Sequence, residues 1–70
     1  MGTKINEAIK RAIGISGSQA ELARKTGVNQ STVSKWLHGA EISSRFIKSI
    51  VIATDGQVSS SEILNSISHR

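Results

Sequence analysis

Apolar residues recur along this chain at helical rather than strand spacing. Ile5, Ala8, Ile9, Ala12 and Ile13 share one helical face, while Lys4, Glu7, Lys10 and Arg11 lie mostly away from it. That pattern predicts a helix from residue 4 to about 13, with Thr3 as N-cap and Gly14 as its end. Ile15-Ser16-Gly17 then reads as a connector. Ser18-Gln19-Ala20-Glu21 has the form of a capping box, in which the serine accepts from the Glu21 N–H and the glutamate side chain returns to the serine N–H. It predicts a second helix over residues 19 to about 26, with Leu22, Ala23 and Thr26 inward. Gly27 follows where a helix can end in the left-handed conformation without a Cβ clash. Asn29 is a strong N-cap for a third helix over residues 30 to about 38. Val33, Trp36 and Leu37 form its inner stripe, and Ser31, Ser34, Lys35 and His38 the opposite one.

Gly39 ends this helix, and Ser43 or Ser44 caps a fourth. There Phe46, Ile47, Ile50, Val51 and Thr54 share a face, and Asp55-Gly56 terminates it. Ile50-Val51-Ile52 would also suit a strand, but the helical face fits five positions. Ser59-Ser60-Ser61-Glu62 offers a second capping box, and Ile63, Leu64 and Ile67 make a short last helix that frays before Arg70. The expected fold is all-α: five helices in one compact domain over residues 1–70, too short for two cores. Ile52 does not fit the apolar face. Either the last helix covers it or it meets a second protomer across a two-fold axis.

The second and third helices have the ingredients of a helix-turn-helix. A small residue, Ala23, stands where the helices must approach, and Gly27 stands where the turn must go left-handed. Leu22, Val28, Val33 and Trp36 supply the apolar lock. An isolated A-x-x-x-G is a weak signal, and the combination with a capping box and an inner stripe is much stronger. Helix 3 of such a motif projects its polar face into a DNA major groove.

The stretch Gln19-Ala20-Glu21-Leu22-Ala23-Arg24-Lys25-Thr26-Gly27-Val28-Asn29-Gln30-Ser31-Thr32-Val33-Ser34-Lys35-Trp36-Leu37 resembles the helix-turn-helix of phage Cro repressors and their YdaS-like relatives. Thr54-Asp55-Gly56-Gln57-Val58 and Ser61-Glu62-Ile63-Leu64 are also similar, so the resemblance spans roughly residues 16 to 64. It implies a lambda-repressor-like fold and a transcriptional repressor that binds operator DNA, usually as a dimer, in the cytoplasm of a bacterial or phage-infected cell. Some relatives are β-sheet in the C-terminal half, and the stronger likeness is to the all-helical ones. By the same resemblance, Gln30, Ser31, Ser34 and Lys35 match contacting positions of the recognition helix, and Gln19 matches a phosphate-contacting helix N-terminus.

Each of these residues also has a plainer role. A glutamine amide can pair with adenine N6 and N7, so Gln30 is a base reader or a simple first-turn residue. Asn29 reads as a cap first, which can touch a phosphate while capping, and as a base reader second. Trp36 belongs to the core by its stripe rather than to a base-stacking surface. Lys35 is expected to face a phosphate, and His38 is a surface residue with a phosphate contact as its rival role; Arg24, Lys25, Arg45 and Lys48 are solvated charges by default that flank the third helix, two or more of them expected to face backbone phosphates.

Composition fits this picture. Nine lysines and arginines against five acids leave a formal charge of +4, which favours an anionic partner. With no cysteine and only His38 and His69, neither a disulfide nor a metal or other cofactor is expected, and the lack of cysteine is compatible with a reducing cytoplasm. No apolar run approaches a membrane span, and the N-terminal alternation is unlike a signal peptide. An enzyme acting on a small-molecule substrate is not expected, because no nucleophile–base pair stands out and the chain leaves little room for a substrate cavity. Within DNA binding, an antitoxin-like regulator with a protein partner is an alternative. A protein-interaction adaptor without DNA is another, and it would predict a recognition face free of phosphate-reaching cations.

Overall fold

The computed structural model describes residues 5–67. Five α-helices follow one another: α1 (Glu7–Ser16), α2 (Gln19–Thr26), α3 (Gln30–Leu37), α4 (Ser44–Ala53) and α5 (Ser60–Ile67), with no strand among the described residues. The all-α expectation holds, and Ile50-Val51-Ile52 is helical within α4.

The first helix is displaced from its sequence-based position. Its N-cap is Asn6, whose Oδ1 accepts from the Ile9 N–H at 3.1 Å, while Thr3 lies outside the described residues. The Asn6 N–H is itself held by the Leu37 carbonyl at 2.7 Å, so the chain before α1 is tied to the end of α3. Gly14 does not end α1. The helix runs through Ile15 and Ser16, and the turn comes at Gly17 with φ 112°, in the region that favours glycine.

Both glutamates of the expected capping boxes behave differently from that expectation. Ser18 and Ser59 do accept from the Glu21 and Glu62 N–H groups, each at 3.1 Å. The glutamate side chains, however, turn to arginines: Glu21 to Arg24, and Glu62 to Arg11 through two 2.6 Å bonds. Arg11 also donates to the Gln57 carbonyl at 3.1 Å, so it clamps α1 to both the α4–α5 turn and α5. A charge-assisted pair recovers more than a return to a solvated cap N–H.

One core joins all five helices. Ala8, Ile9 and Ala12 come from α1, Leu22 and Ala23 from α2, Val33 and Trp36 from α3, Ile47 and Ile50 from α4, and Ile63 from α5. Two further buried residues, Ile42 and Val58, come from the connectors before α4 and α5. The inward threonines satisfy their hydroxyls locally. Thr26 Oγ1 donates to the Leu22 carbonyl at 2.8 Å, and Thr54 Oγ1 donates to Ile50 at 3.0 Å while accepting from the Val58 N–H at 3.2 Å.

Candidate nucleic-acid interface

The geometry of α2 and α3 follows from a few residues. Gly27 closes α2 in the left-handed conformation (φ 79°), and its N–H donates to the Ala23 carbonyl at 2.9 Å. Val28 donates to the same carbonyl at 3.0 Å, which tightens the turn. Ala23, whose carbonyl accepts both bonds, is buried. Val33 and Trp36 bury the inner face of α3, with Leu37 half-buried beside them. The Trp36 ring meets Phe46 of α4 with centroids 5.8 Å apart, confirming it as a core residue.

With that face committed, the opposite side of α3 faces outward. Gln30, Ser31, Lys35 and His38 are exposed and Ser34 is half-buried. Their spacing places them on one stripe about 12 Å long, at 1.5 Å per residue. His38 is the C-cap rather than part of α3, and its Nδ1 lies 2.8 Å from the Ser34 carbonyl. A carbonyl only accepts, so in this contact Nδ1 carries the proton.

The flanking residues differ in how free they are. Gln19 opens α2, half-buried, one residue after the Ser18 cap. Lys25 and Lys35 are exposed and form no ion pair among the described residues, whereas Arg24 is engaged by Glu21. The hydrogen bond and charge of Arg24 hold the Glu21 carboxyl below its usual range. On α4, the Arg45 guanidinium lies over the Phe46 ring, 5.1 Å from its centre, and Lys48 is exposed. Beside α3 runs an open groove of about 600 Å³, lined by Thr32, Trp36, Glu41, Ile42 and Phe46 and by Ser43 and Ser44.

One sequence-based expectation fails here. Asn29 occupies the N-cap position of α3, yet its side chain makes no capping hydrogen bond and is exposed. Its carbonyl alone serves the helix, accepting from Thr32 at 3.0 Å and Val33 at 3.3 Å. Ile52 is also settled in part: it is 76 % exposed, so α5 does not cover it. In the last helix Ile63 is buried and Leu64 is exposed. The link from Asn6 to Leu37 has no counterpart in the apolar pattern, because a backbone bond leaves no trace in side-chain spacing.

Among the described residues no helix is long and apolar enough to cross a membrane, and no group of three or more histidine, cysteine or acidic residues is placed to hold a metal. A family model described as bacterial toxin YdaS matches residues 9–69, which takes in the whole of α2 and α3. No curated protein matches the chain. No solved structure matches it either.

Proposed function

The chain belongs to the bacterial toxin YdaS family, and from that membership and the exposed face of α3 we propose that it binds double-stranded DNA sequence-specifically as a Cro-type transcriptional repressor. The observation that carries the reading is the stripe Gln30, Ser31, Ser34, Lys35. Gln30, Ser31 and Lys35 are exposed and Ser34 is half-buried on a helix whose other face is locked into the core. Base edges in the major groove are read by such groups, and phosphates are neutralised by lysine and arginine. Lys25 and Lys35 supply unpaired cations, and Gln19 sits where a helix start can meet the backbone of the duplex.

The mechanism is steric. A protein seated on an operator excludes polymerase or a competing regulator, and no catalytic step is required. A single copy of α3 reads only a few base pairs, so the functional unit is two copies on two half-sites about 34 Å apart. The exposed Ile52 on α4 favours a contact between protein chains and is the first candidate for that assembly. The test is selection of bound duplexes from a random pool. An enriched inverted repeat is expected. Failure to retain any duplex would refute the proposal, and retention without sequence enrichment would reduce it to non-specific binding.

A further inference from the structure

Residues 18–38, which hold α2, the turn and α3, carry three lysine or arginine residues, Arg24, Lys25 and Lys35, and one acid, Glu21. That acid is engaged. Glu21 Oε1 accepts from Arg24 Nη2, three residues further along α2. Lys25 and Lys35 form no ion pair among the described residues. The cap of α2 asks nothing of the Glu21 carboxylate, because Ser18 Oγ accepts from the Glu21 backbone N–H at 3.1 Å. The side chain is turned to Arg24 instead.

The two ion pairs among the described residues do different things. Arg11 and Glu62 are 51 positions apart and join α1 to α5. Glu21 and Arg24 are neighbours on one helix, with Arg24 exposed and Glu21 half-buried. A pair of that kind adds little to the fold. Its larger consequence is electrostatic. A guanidinium holds carboxylates and phosphates with the same donors, so Glu21 stands where a phosphate would bind. The hydrogen bond and charge of Arg24, with a smaller part from Lys25, hold the Glu21 carboxyl below its usual range, which keeps it ionised at neutral pH. A phosphate approaching Arg24 must displace this carboxylate or lie beside a like charge. Arg24 sits in the last turn of α2, just before the turn into α3. In this motif the helix before the recognition helix crosses the duplex backbone. The pair therefore stands where contacts independent of sequence form.

Resting on the DNA-binding reading above, we propose that Glu21 is a positioning residue that keeps Arg24 from the phosphate backbone, removing one phosphate contact and so limiting sequence-independent binding.

The experiment uses the full chain, the duplex enriched from the random pool and a scrambled duplex of the same length. Binding is followed by fluorescence anisotropy over a series of salt concentrations. Glu21→Gln keeps the backbone N–H that Ser18 needs and should leave the thermal midpoint close to wild type. It should tighten both duplexes by the same factor, about fivefold, because phosphates carry no sequence information. The slope of log K against log salt should steepen by about 0.9. Arg24→Ala should leave the wild-type slope unchanged, and added to Glu21→Gln it should restore that slope. This cycle separates the release of Arg24 from the loss of the carboxylate's own charge. Glu21→Ala frees Arg24 in the same way should the glutamine variant not fold. A wild-type slope flattened by about 0.9 in Arg24→Ala overturns the proposal, since Arg24 then already holds a phosphate. So does tightening by Glu21→Gln that is equal with and without Arg24, or a Glu21→Gln variant with unchanged affinity and slope. In these three cases duplexes are still bound, so the DNA-binding reading stands. If wild type retains no duplex, both readings fall together.

Discussion

Gln30 carries the sharpest residue-scale expectation. Its side chain is exposed in the first turn of α3 and takes no part in the core, so alanine there should leave folding intact. Gln30→Ala should lose about 1–3 kcal/mol on the selected duplex and almost nothing on random DNA, with preference relaxed at one base pair per half-site. Equal losses on both duplexes, measured by anisotropy, would make Gln30 a positioning residue. Lys35 is expected to act in the opposite manner. As an unpaired cation it should contact a phosphate, so Lys35→Ala should weaken all duplexes alike and flatten the slope of log K against log salt by about 0.9. An unchanged slope would remove it from the interface. The exposure of Gln30, Ser31 and Lys35 was legible in the sequence because they lie at helical spacing opposite an apolar stripe. Partnering was less legible. Glu21 is held by Arg24, and Glu62 by Arg11 from far along the chain, while Asn29 declines a cap that its residue type favours. Competition among hydrogen-bond partners is decided in three dimensions, not by local spacing.

At the scale of elements, α2 and α3 matched their expected bounds because chemistry marks both ends: Ser18 caps α2, and Gly27 takes the left-handed turn. The first helix was placed too early, since Ile5 continues the apolar rhythm although the chain there is not yet helical. Its end also lies beyond the Gly14 that the sequence predicts, because glycine inside a helix weakens it without having to stop it. Gly14 lies inside α1, exposed, and a Cβ there would meet nothing within 4 Å. Ile15, three residues past Ala12 and seven past Ala8, was the sign that the helix continued. This yields a stability expectation. Gly14→Ala should stabilise the fold by about 0.5–1 kcal/mol by restricting the unfolded chain and favouring helix. Chemical denaturation would show this as a raised midpoint at unchanged slope, whereas a lowered midpoint would mean that glycine is required there. Ile42 and Val58 escaped the periodic reading for a different reason: they are buried from connectors, where no period exists.

For the whole molecule, five short helices share one core, and α1 is tied at two points: its N-cap Asn6 to the end of α3, and Arg11, midway along it, to α5. Outside the core lie the outward stripe of α3 and the exposed Ile52 on α4, which is more exposed than Ile5 or Leu64. If Ile52 joins two copies on an operator, Ile52→Asp should reduce the cooperativity of binding while preserving affinity for a single half-site. Sedimentation should then show two protomers per operator for wild type, and one protomer at saturation would refute the two-copy assembly. The central claim is that α3 presents its polar stripe to duplex DNA. The most direct measurement is a titration of isotopically labelled protein with the selected duplex, following backbone amide resonances by NMR. The expected result is that shifts concentrate on residues 29–38 and on the start of α2 near Gln19, and diminish as salt is raised. Shifts confined to α4 and α5, or none at saturating duplex, would contradict the account.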